Sequence, residues 1–323
     1  MQGLIIENTA NLYKIKVKNI NVENNQDKFN LSNEIYNATP RGKFKQNEIT
    51  PVVGDIVEIS VIDEENKTAV IEKIEERKKY IKRPKMANIT QIIFVVSSKD
   101  PKPDLLMLDK QLAFAEFIGI KCLIVLNKTD LDCNSEFVKI RNTYQKIGYP
   151  VVETQAKSQI GISELKQKLE GNINAFSGNS GVGKSTLING IFNENLTIEG
   201  EISLKNKKGK NTTTTVKLYE IDENTYIADT PGFSTFDISE INSQDLAKFF
   251  KEFKNKIDDC EFVGCTHIKE EKCGIKDGIK NGEISQERYE RFCKIYEELK
   301  LKEERKNGRN INININCRKW KRV

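Results

Sequence analysis

The sequence predicts a multidomain chain of three unlike parts: an all-β unit at residues 1–78, a central α/β unit at 79–236, and a helical, cysteine-bearing end at 237–323. Three observations predict it. Short β-branched runs broken by Asn, Pro and Gly fill the first part, and strands alternating with helices fill the second. After about residue 237 the strand signals stop. A length of 323 residues is itself enough for two or three domains.

In the first part, Leu12, Ile15 and Val17 sit among polar residues. Ile56, Val57, Ile59 and Val61 follow the turn Val53-Gly54-Asp55, and residues 67–74 (KTAVIEKI) make a third run. Strands this short and this closely punctuated build a small barrel or sandwich. The basic loop Thr39-Pro40-Arg41-Gly42-Lys43-Phe44-Lys45 lies between them, read equally as a solvated hairpin tip or as an RNA contact.

In the second part, residues 91–96 (QIIFVV) and 122–127 (CLIVLN) are apolar runs of the kind buried in parallel sheets. Between them Leu105, Leu108, Leu112, Phe114, Ala115 and Ile118 recur at helical spacing. A strand at Val151-Val152, a helix at 162–169, a strand at 173–176, a helix at 184–192 and a strand at 225–228 follow. That alternation predicts a sheet with helices on both faces. In the third part, amphipathic helices are expected at 244–253 and 286–302, with cysteines between them. The final stretch, KEERKNGRNINININCRKWKRV, is a basic tail or a strand that forms only against a partner.

Composition narrows the chemistry. Hydrophobic residues are 37% and charged residues 31%, sufficient for ordinary cores, and 52 basic against 47 acidic residues leave a net charge of only +5. One histidine in the whole chain rules out a His pair, or a Ser/His/Asp set with a further His ligand. Seven cysteines over this length do not form the dense pattern of a secreted disulfide scaffold. No basic-then-apolar leader opens the chain and no segment approaches a membrane span, so a cytoplasmic protein without membrane contact is expected.

The segment Gly178-Asn179-Ser180-Gly181-Val182-Gly183-Lys184-Ser185-Thr186 satisfies GxxxxGK[ST] between an expected strand and an expected helix. Its glycines let consecutive N–H groups curl around phosphates at a helix N-terminus. Lys184 would reach the β- and γ-phosphates, and the Ser185 hydroxyl would ligate Mg²⁺. A flexible Gly/Ser connector is the alternative reading. Asn127-Lys128-Thr129-Asp130 ends the second buried strand and matches NKxD. There Asp130 would accept from guanine N1 and the exocyclic amine, Lys128 would pack over the ring, and Asn127 would tie the base loop to the phosphate loop. Asp229-Thr230-Pro231-Gly232 matches DxxG, with Asp229 holding Mg²⁺ through water and Gly232 contacting the γ-phosphate. Thr154-Gln155-Ala156-Lys157 is similar to the SAK stretch that backs guanine. Alone, NKxD fits a surface turn equally well; beside a full phosphate loop, these motifs at strand ends read together as a GTPase.

Their order is permuted. NKxD and the SAK-like stretch precede the phosphate loop, and DxxG comes last. A sheet is indifferent to which loop is cut when the old termini lie close together, so the site can be rebuilt from a circularly permuted chain. The chain then leaves this unit directly after the second switch. The metal signal is separate: Cys260-x4-Cys265-x-His267-x5-Cys273 places three thiolates and the only imidazole in one loop, a closed set suited to one structural Zn²⁺. Scattered buried cysteines are the alternative. Cys122 reads as core, and Cys133, Cys293 and Cys317 as free thiols.

These residues together resemble the RsgA/YjeQ family of circularly permuted GTPases. The likeness runs over nearly the whole chain: residues 83–97 (RPKMANITQIIFVVS), NKTD, GNSGVGKST, residues 209–219 (GKNTTTTVKLY), DTPGF and the cysteine cluster. It implies an OB barrel over 1–78, a G domain over 79–236 and a zinc domain after it. It also implies late maturation of the small (30S) ribosomal subunit as the role, with ribosomal RNA, GTP and GDP as partners. One of the clustered threonines, Thr213 or Thr214, would complete the Mg²⁺ shell, and Thr213 and Lys184 would serve hydrolysis. One departure stands out. The family's first switch reads G-x-H-T-T-T, whereas this chain has Asn211 at the histidine position and Phe233 directly after DxxG. Asn211 can hydrogen-bond a water but cannot take its proton, so turnover by a free monomer should be slow and accelerated on the ribosome. Nine cations gather at the end, from Lys300 to Arg322, against Glu303 and Glu304, and Trp320 among them favours an RNA contact.

Overall fold

The computed structural model of the chain describes residues 1–18, 31–42, 44, 49–132, 135–193, 216–229, 238–306 and 308. Asn211, Thr213, Thr214, Gly232, Phe233, Cys133, Cys317 and the tail from Arg309 lie outside the described residues.

Five strands close the N-terminal barrel: β1 (Gln2–Thr9), β2 (Leu12–Lys18), β3 (Leu31–Pro40), β4 (Ile56–Asp63) and β5 (Thr68–Ile74). Their order is β1-β2-β3-β5-β4, with β4 returning to β1. Only β3 and β5 run parallel, from Asn37 opposite Thr68. That circuit is the OB-type five-stranded barrel. Alternation fills it, since Tyr13, Ile15 and Val17 on β2 point inward and meet Tyr36, Val57 and Ile71. One end is closed by the fully buried Asp55, which accepts from the Val52 N–H at 2.8 Å and from Arg77 Nε at 2.7 Å. The two-armed guanidinium, whose Nη2 also donates to Asp55 at 2.8 Å, offsets the cost of burying that carboxylate. A hairpin of β6 (Tyr80–Lys82) and β7 (Lys85–Ala87) leads on.

The central sheet contains β8 (Gln91–Ser97), β9 (Lys121–Asn127), β10 (Val151–Thr154), β11 (Ile173–Ser177), β12 (Lys217–Asp222) and β13 (Thr225–Asp229). The order is β10-β9-β8-β11-β13-β12, parallel except for β12. Its helices are α1 (Leu105–Ile118), α2 (Glu136–Ile147), α3 (Ile162–Leu169) and α4 (Lys184–Asn193). Period-two alternation splits the apolar runs between the faces. Ile92, Phe94, Val96, Ile124 and Leu126 pack with α1 and α2, while Ile93, Val95, Leu123 and Val125 pack with α3 and α4. Asp104 caps α1 by accepting the Met107 N–H at 2.9 Å, and Gly119 ends it in the left-handed region at φ 66°. At its far edge β12 pairs with β1, so barrel and sheet share one continuous eleven-stranded ladder.

The third part holds α5 (Gly274–Lys280) and α6 (Gln286–Lys306), preceded by 3-10 turns. The helix expected at 244–253 is instead two 3-10 segments, Ser243–Phe249 and Lys251–Phe253, separated by an extended Phe250. The break lets neighbouring rings diverge: Phe249 packs on Phe117 of α1 at 5.3 Å, while Phe250 and Phe253 stack at 5.2 Å and meet Phe292 of α6. The same core takes in Ala113 and Phe114 of α1, so that helix is shared with the central sheet. A buried charge cluster locks the joint. Arg288 of α6 bonds Asp109 of α1 and Glu252, Arg291 adds a second bond to Asp109, and Tyr144 of α2 donates to Asp109 at 2.6 Å. No described helix is long and apolar enough to cross a membrane.

Candidate nucleotide and metal sites

Parallel strands deliver their loops to one edge of a sheet, and the permuted motifs converge there. Asn127, Thr154 and Ser97 sit in register at the ends of β9, β10 and β8, and Ser177 and Asp229 end β11 and β13 on the same side. Asn127 is the hub. Its Nδ2 donates to the Val182 carbonyl at 2.9 Å, and its Oδ1 accepts from Thr154 Oγ1 at 3.0 Å and the Ala156 N–H at 3.3 Å. Base loop, guanine-backing stretch and phosphate loop are thereby fastened through one buried side chain. The approach is close enough to dictate a glycine: a Cβ on Gly183, at φ 98°, would stand 2.3 Å from Asn127 Nδ2. Gly178, at φ 145°, would likewise run into the Val95 carbonyl at 2.4 Å.

Lys184 opens α4 and folds back over the phosphate loop, donating to the carbonyls of Gly178 at 2.6 Å and Asn179 at 2.9 Å. Burial lowers its pKa. Ser180, Gly181, Ser185 and Thr186 remain exposed around it. Lys128 adopts the left-handed conformation at φ 63°, its Nζ on the Asp100 carbonyl at 2.5 Å. That turn sets Thr129 and the exposed Asp130 at the start of a 3-10 segment, with Lys157 exposed beyond the buried Ala156. Ser185 and Asp229 are exposed hard oxygen donors on strands and helices that end at this edge, the type Mg²⁺ takes alongside waters and phosphate oxygens.

Several supporting contacts were not legible as motifs. Gln111 of α1 donates to Ser177 Oγ at 3.1 Å just before the phosphate loop, and Asn179 Nδ2 lies 3.5 Å from Asp104 Oδ2. Ser98 Oγ donates to the Lys128 carbonyl at 2.6 Å. Only Asp104 carries a local signal, as an N-cap ahead of an apolar helical run.

The ligand atoms of Cys260, Cys265, His267 and Cys273 all lie within 4.8 Å of one another. The Cys260 and Cys273 sulfurs are 3.9 Å apart, and His267 Nδ1 is 3.5 Å and 3.4 Å from them. Zinc–ligand lengths in a tetrahedron require edges of about 3.8 Å for S–S and about 3.6 Å for N–S. The cage therefore has the size of that ion. Burial raises the Cys265 thiol to about 12, and burial likewise raises Cys273, so a cation is what lets thiolates share this space. The loop is braced from outside: Tyr289 donates to the His267 carbonyl at 2.7 Å, and Lys276 to those of Ile268 and Glu270 at 3.0 and 2.8 Å. Glu270 accepts from the N–H groups of Thr266 and Ile268 and from the Thr266 hydroxyl. Burial alone would raise its carboxyl, but its own backbone N–H together with these donors outweighs it and brings it down to about 2.

A phosphate-loop sheet threaded so that the base loop comes before the phosphate loop defines a class, the circularly permuted GTPases. A family model described as RsgA GTPase matches residues 74–239, and one described as RsgA N-terminal domain matches residues 28–71. The chain belongs to the RsgA GTPase family. The small ribosomal subunit biogenesis GTPase RsgA of Ruminiclostridium cellulolyticum is 38% identical over 298 residues, 92% of this chain and 93% of that protein. That of Alkaliphilus metalliredigens is 37% identical over 299 residues, 93% and 98%. Among solved structures, YjeQ from Thermotoga maritima superposes with a TM-score of 0.75 at 33% identity, covering 92% of this chain and 98% of that one. YloQ, described as a circularly permuted GTPase, gives 0.75 at 28% identity, covering 93% and 95%.

Proposed function

We propose that the protein is a GTP-driven late maturation factor of the small ribosomal subunit, binding ribosomal RNA and hydrolysing GTP to GDP and phosphate. The observation that carries this is the joining of an OB-order barrel, through β12, and a unit bearing a Cys₃His knuckle, through α1, to the sheet that carries one Asn127-centred nucleotide site. Barrels of this type bind single-stranded or looped nucleic acid, and zinc knuckles also do so. Domain limits of 1–78, 79–236 and 237–323 follow that division.

Within the site, Asp130 reads the guanine edge, Lys128 covers the ring, and residues 178–186 cradle the phosphates. Ser185, Asp229 and Thr213 hold Mg²⁺, and Gly232 senses the γ-phosphate. The zinc is structural, because four protein ligands leave no open position. With asparagine at 211 and phenylalanine at 233, no side chain of either switch motif activates water, so the free monomer turns over slowly and the ribosomal particle supplies the missing alignment. Such a factor works in the cytoplasm.

The test is release. With a GTP analogue that resists hydrolysis, the protein should stay on purified small subunits through gel filtration, and with GTP or GDP it should leave. Equal release under both conditions would make hydrolysis incidental and overturn the reading.

A further inference from the structure

Ser97 ends β8 and Ser98 follows it, and the two hydroxyls go to different places. Ser97 lies opposite Asn127 in the parallel ladder with β9, and its Oγ donates to the Lys99 carbonyl at 2.6 Å, within its own loop. Ser98 reaches across instead. Its N–H donates to the Asn127 carbonyl at 3.3 Å, and its Oγ donates to the next carbonyl, that of Lys128, at 2.6 Å. The ladder stops there because the chain of β9 turns away, and the serine hydroxyl takes the place of the next rung.

The carbonyl that Ser98 holds belongs to a residue in an unusual conformation. Lys128 sits at φ 63° and ψ 41°, the left-handed region that residues other than glycine keep only where their neighbours over-determine it. Three contacts do so here. The Lys128 carbonyl also accepts the Leu131 N–H at 2.9 Å, closing the 3-10 turn Thr129–Leu131 that contains the exposed Asp130. Lys128 Nζ reaches the Asp100 carbonyl at 2.5 Å, two residues beyond Ser98. Ser98 Oγ supplies the third, from the connection between β8 and α1. That connection is itself fastened at both ends, by the ladder to Asn127 and by the Asp104 cap of α1 at 2.9 Å, so the hydroxyl is a fixed point against which the turn is set.

We propose that Ser98 is a positioning residue for guanine recognition: its hydroxyl locks the left-handed turn at Lys128 and so sets the angle at which Asp130 meets the base. This rests on Asp130 being the residue that reads guanine. Hydrogen bonds weaken steeply when bent, and a carboxylate accepts from guanine N1 and the exocyclic amine together only when its two oxygens face both donors. A base with one donor can follow a rotated carboxylate, whereas a base with two cannot. Discrimination against hypoxanthine, which keeps the N1 donor and lacks the amine, is therefore the property the hydroxyl controls. Ser98 acts through Lys128 and touches no nucleotide.

The experiment is competition binding of GDP and inosine diphosphate to the full chain and to its Ser98→Ala and Ser98→Thr variants, with steady-state GTP hydrolysis alongside. Ser98→Ala should weaken GDP by about two- to tenfold, the size of one net hydrogen bond, and inosine diphosphate by less, so that the ratio of the two affinities falls at least about twofold. KM for GTP should rise by a larger factor than kcat falls. Ser98→Thr, which keeps a hydroxyl, should restore the ratio and KM. A ratio in Ser98→Ala equal to that of the unsubstituted chain would overturn the proposal even with both affinities lowered, since a merely structural role weakens both alike. A ratio lowered equally in Ser98→Thr would overturn it too. Asp130→Ala keeping the full preference for GDP over inosine diphosphate would instead overturn the guanine reading on which the proposal rests, a result distinguishable from the first two.

Discussion

Asn127 donates to the carbonyl of Val182 at 2.9 Å, joining two loops that are 55 residues apart and stand in reversed chain order. The bond explains how permutation leaves the pocket intact: the strands hold their places in the sheet, and one buried amide closes the gap between them. Asn127→Ala would strip the Val182 carbonyl, Thr154 Oγ1 and the Ala156 N–H of a partner. Each buried polar group so orphaned costs about 1–3 kcal/mol. GDP affinity by titration calorimetry should fall at least about tenfold, and the thermal midpoint should drop by at least about 5 °C.

In the proposed nucleotide site, base choice rests on Asp130. A carboxylate accepts from guanine N1 and its exocyclic amine, whereas an amide in its place offers a donor. Asp130→Asn should lose affinity for GTP and gain it for xanthosine triphosphate, which carries a carbonyl where guanine has the amine. Competition binding with both nucleotides measures this, and unchanged preference would place the base elsewhere.

Metal removal should act on folding. The knuckle's four ligands lie close together, yet its core is a few rings around Phe292, with His267 6.5 Å from that ring. Without the cation three thiols and an imidazole must share one buried pocket. A zinc-selective chelator, or Cys273→Ser, should release about one zinc per chain to a colorimetric indicator. Hydrogen exchange should then accelerate in residues 260–273 and α6, while β8 and β9 stay protected.

The joint between α1 and α6 depends on charge. Arg288 is 1% exposed and its pKa is raised well above the usual arginine range, because the attraction of Asp109 and Glu252 outweighs burial. Arg288→Ala leaves the buried Glu252 without its guanidinium and Asp109 with only Arg291 and Tyr144, and should destabilise the fold by about 3–5 kcal/mol in denaturant titrations. Arg288→Met combined with Asp109→Asn and Glu252→Gln should recover much of that loss.

Much of this was legible in the sequence, and the boundary of legibility is physical. α1 occupies Leu105–Ile118 as its spacing predicts, because Asp104 caps it, Gly119 ends it, and one stripe is buried in each of two cores. The apolar runs that become β8 and β9 are buried on both faces, which is a local signal. The metal ligands are legible because their spacing is local. The sequence pattern does not predict β1, β3, β12 or α2. β12 mixes Lys217, Glu220 and Asp222 with Leu218, Tyr219 and Ile221 because it is a seam between two units, and one of its two neighbours, β1, is far away in sequence. The break at Phe250 escapes helical periodicity because the partners of the three rings, Phe117 of α1 and Phe292 of α6, are distant in sequence. The Asp109–Arg288 pair, 179 residues apart, leaves no pattern in either helix.

The central claim is that hydrolysis waits for the ribosomal particle. It is tested most directly by measuring steady-state phosphate release from GTP with and without purified small subunits, at two salt concentrations. The account predicts a slow free rate, a rate raised at least about tenfold by subunits, and loss of that stimulation at high salt as phosphate contacts are screened. A free rate equal to the subunit-bound rate at both salt concentrations would contradict it.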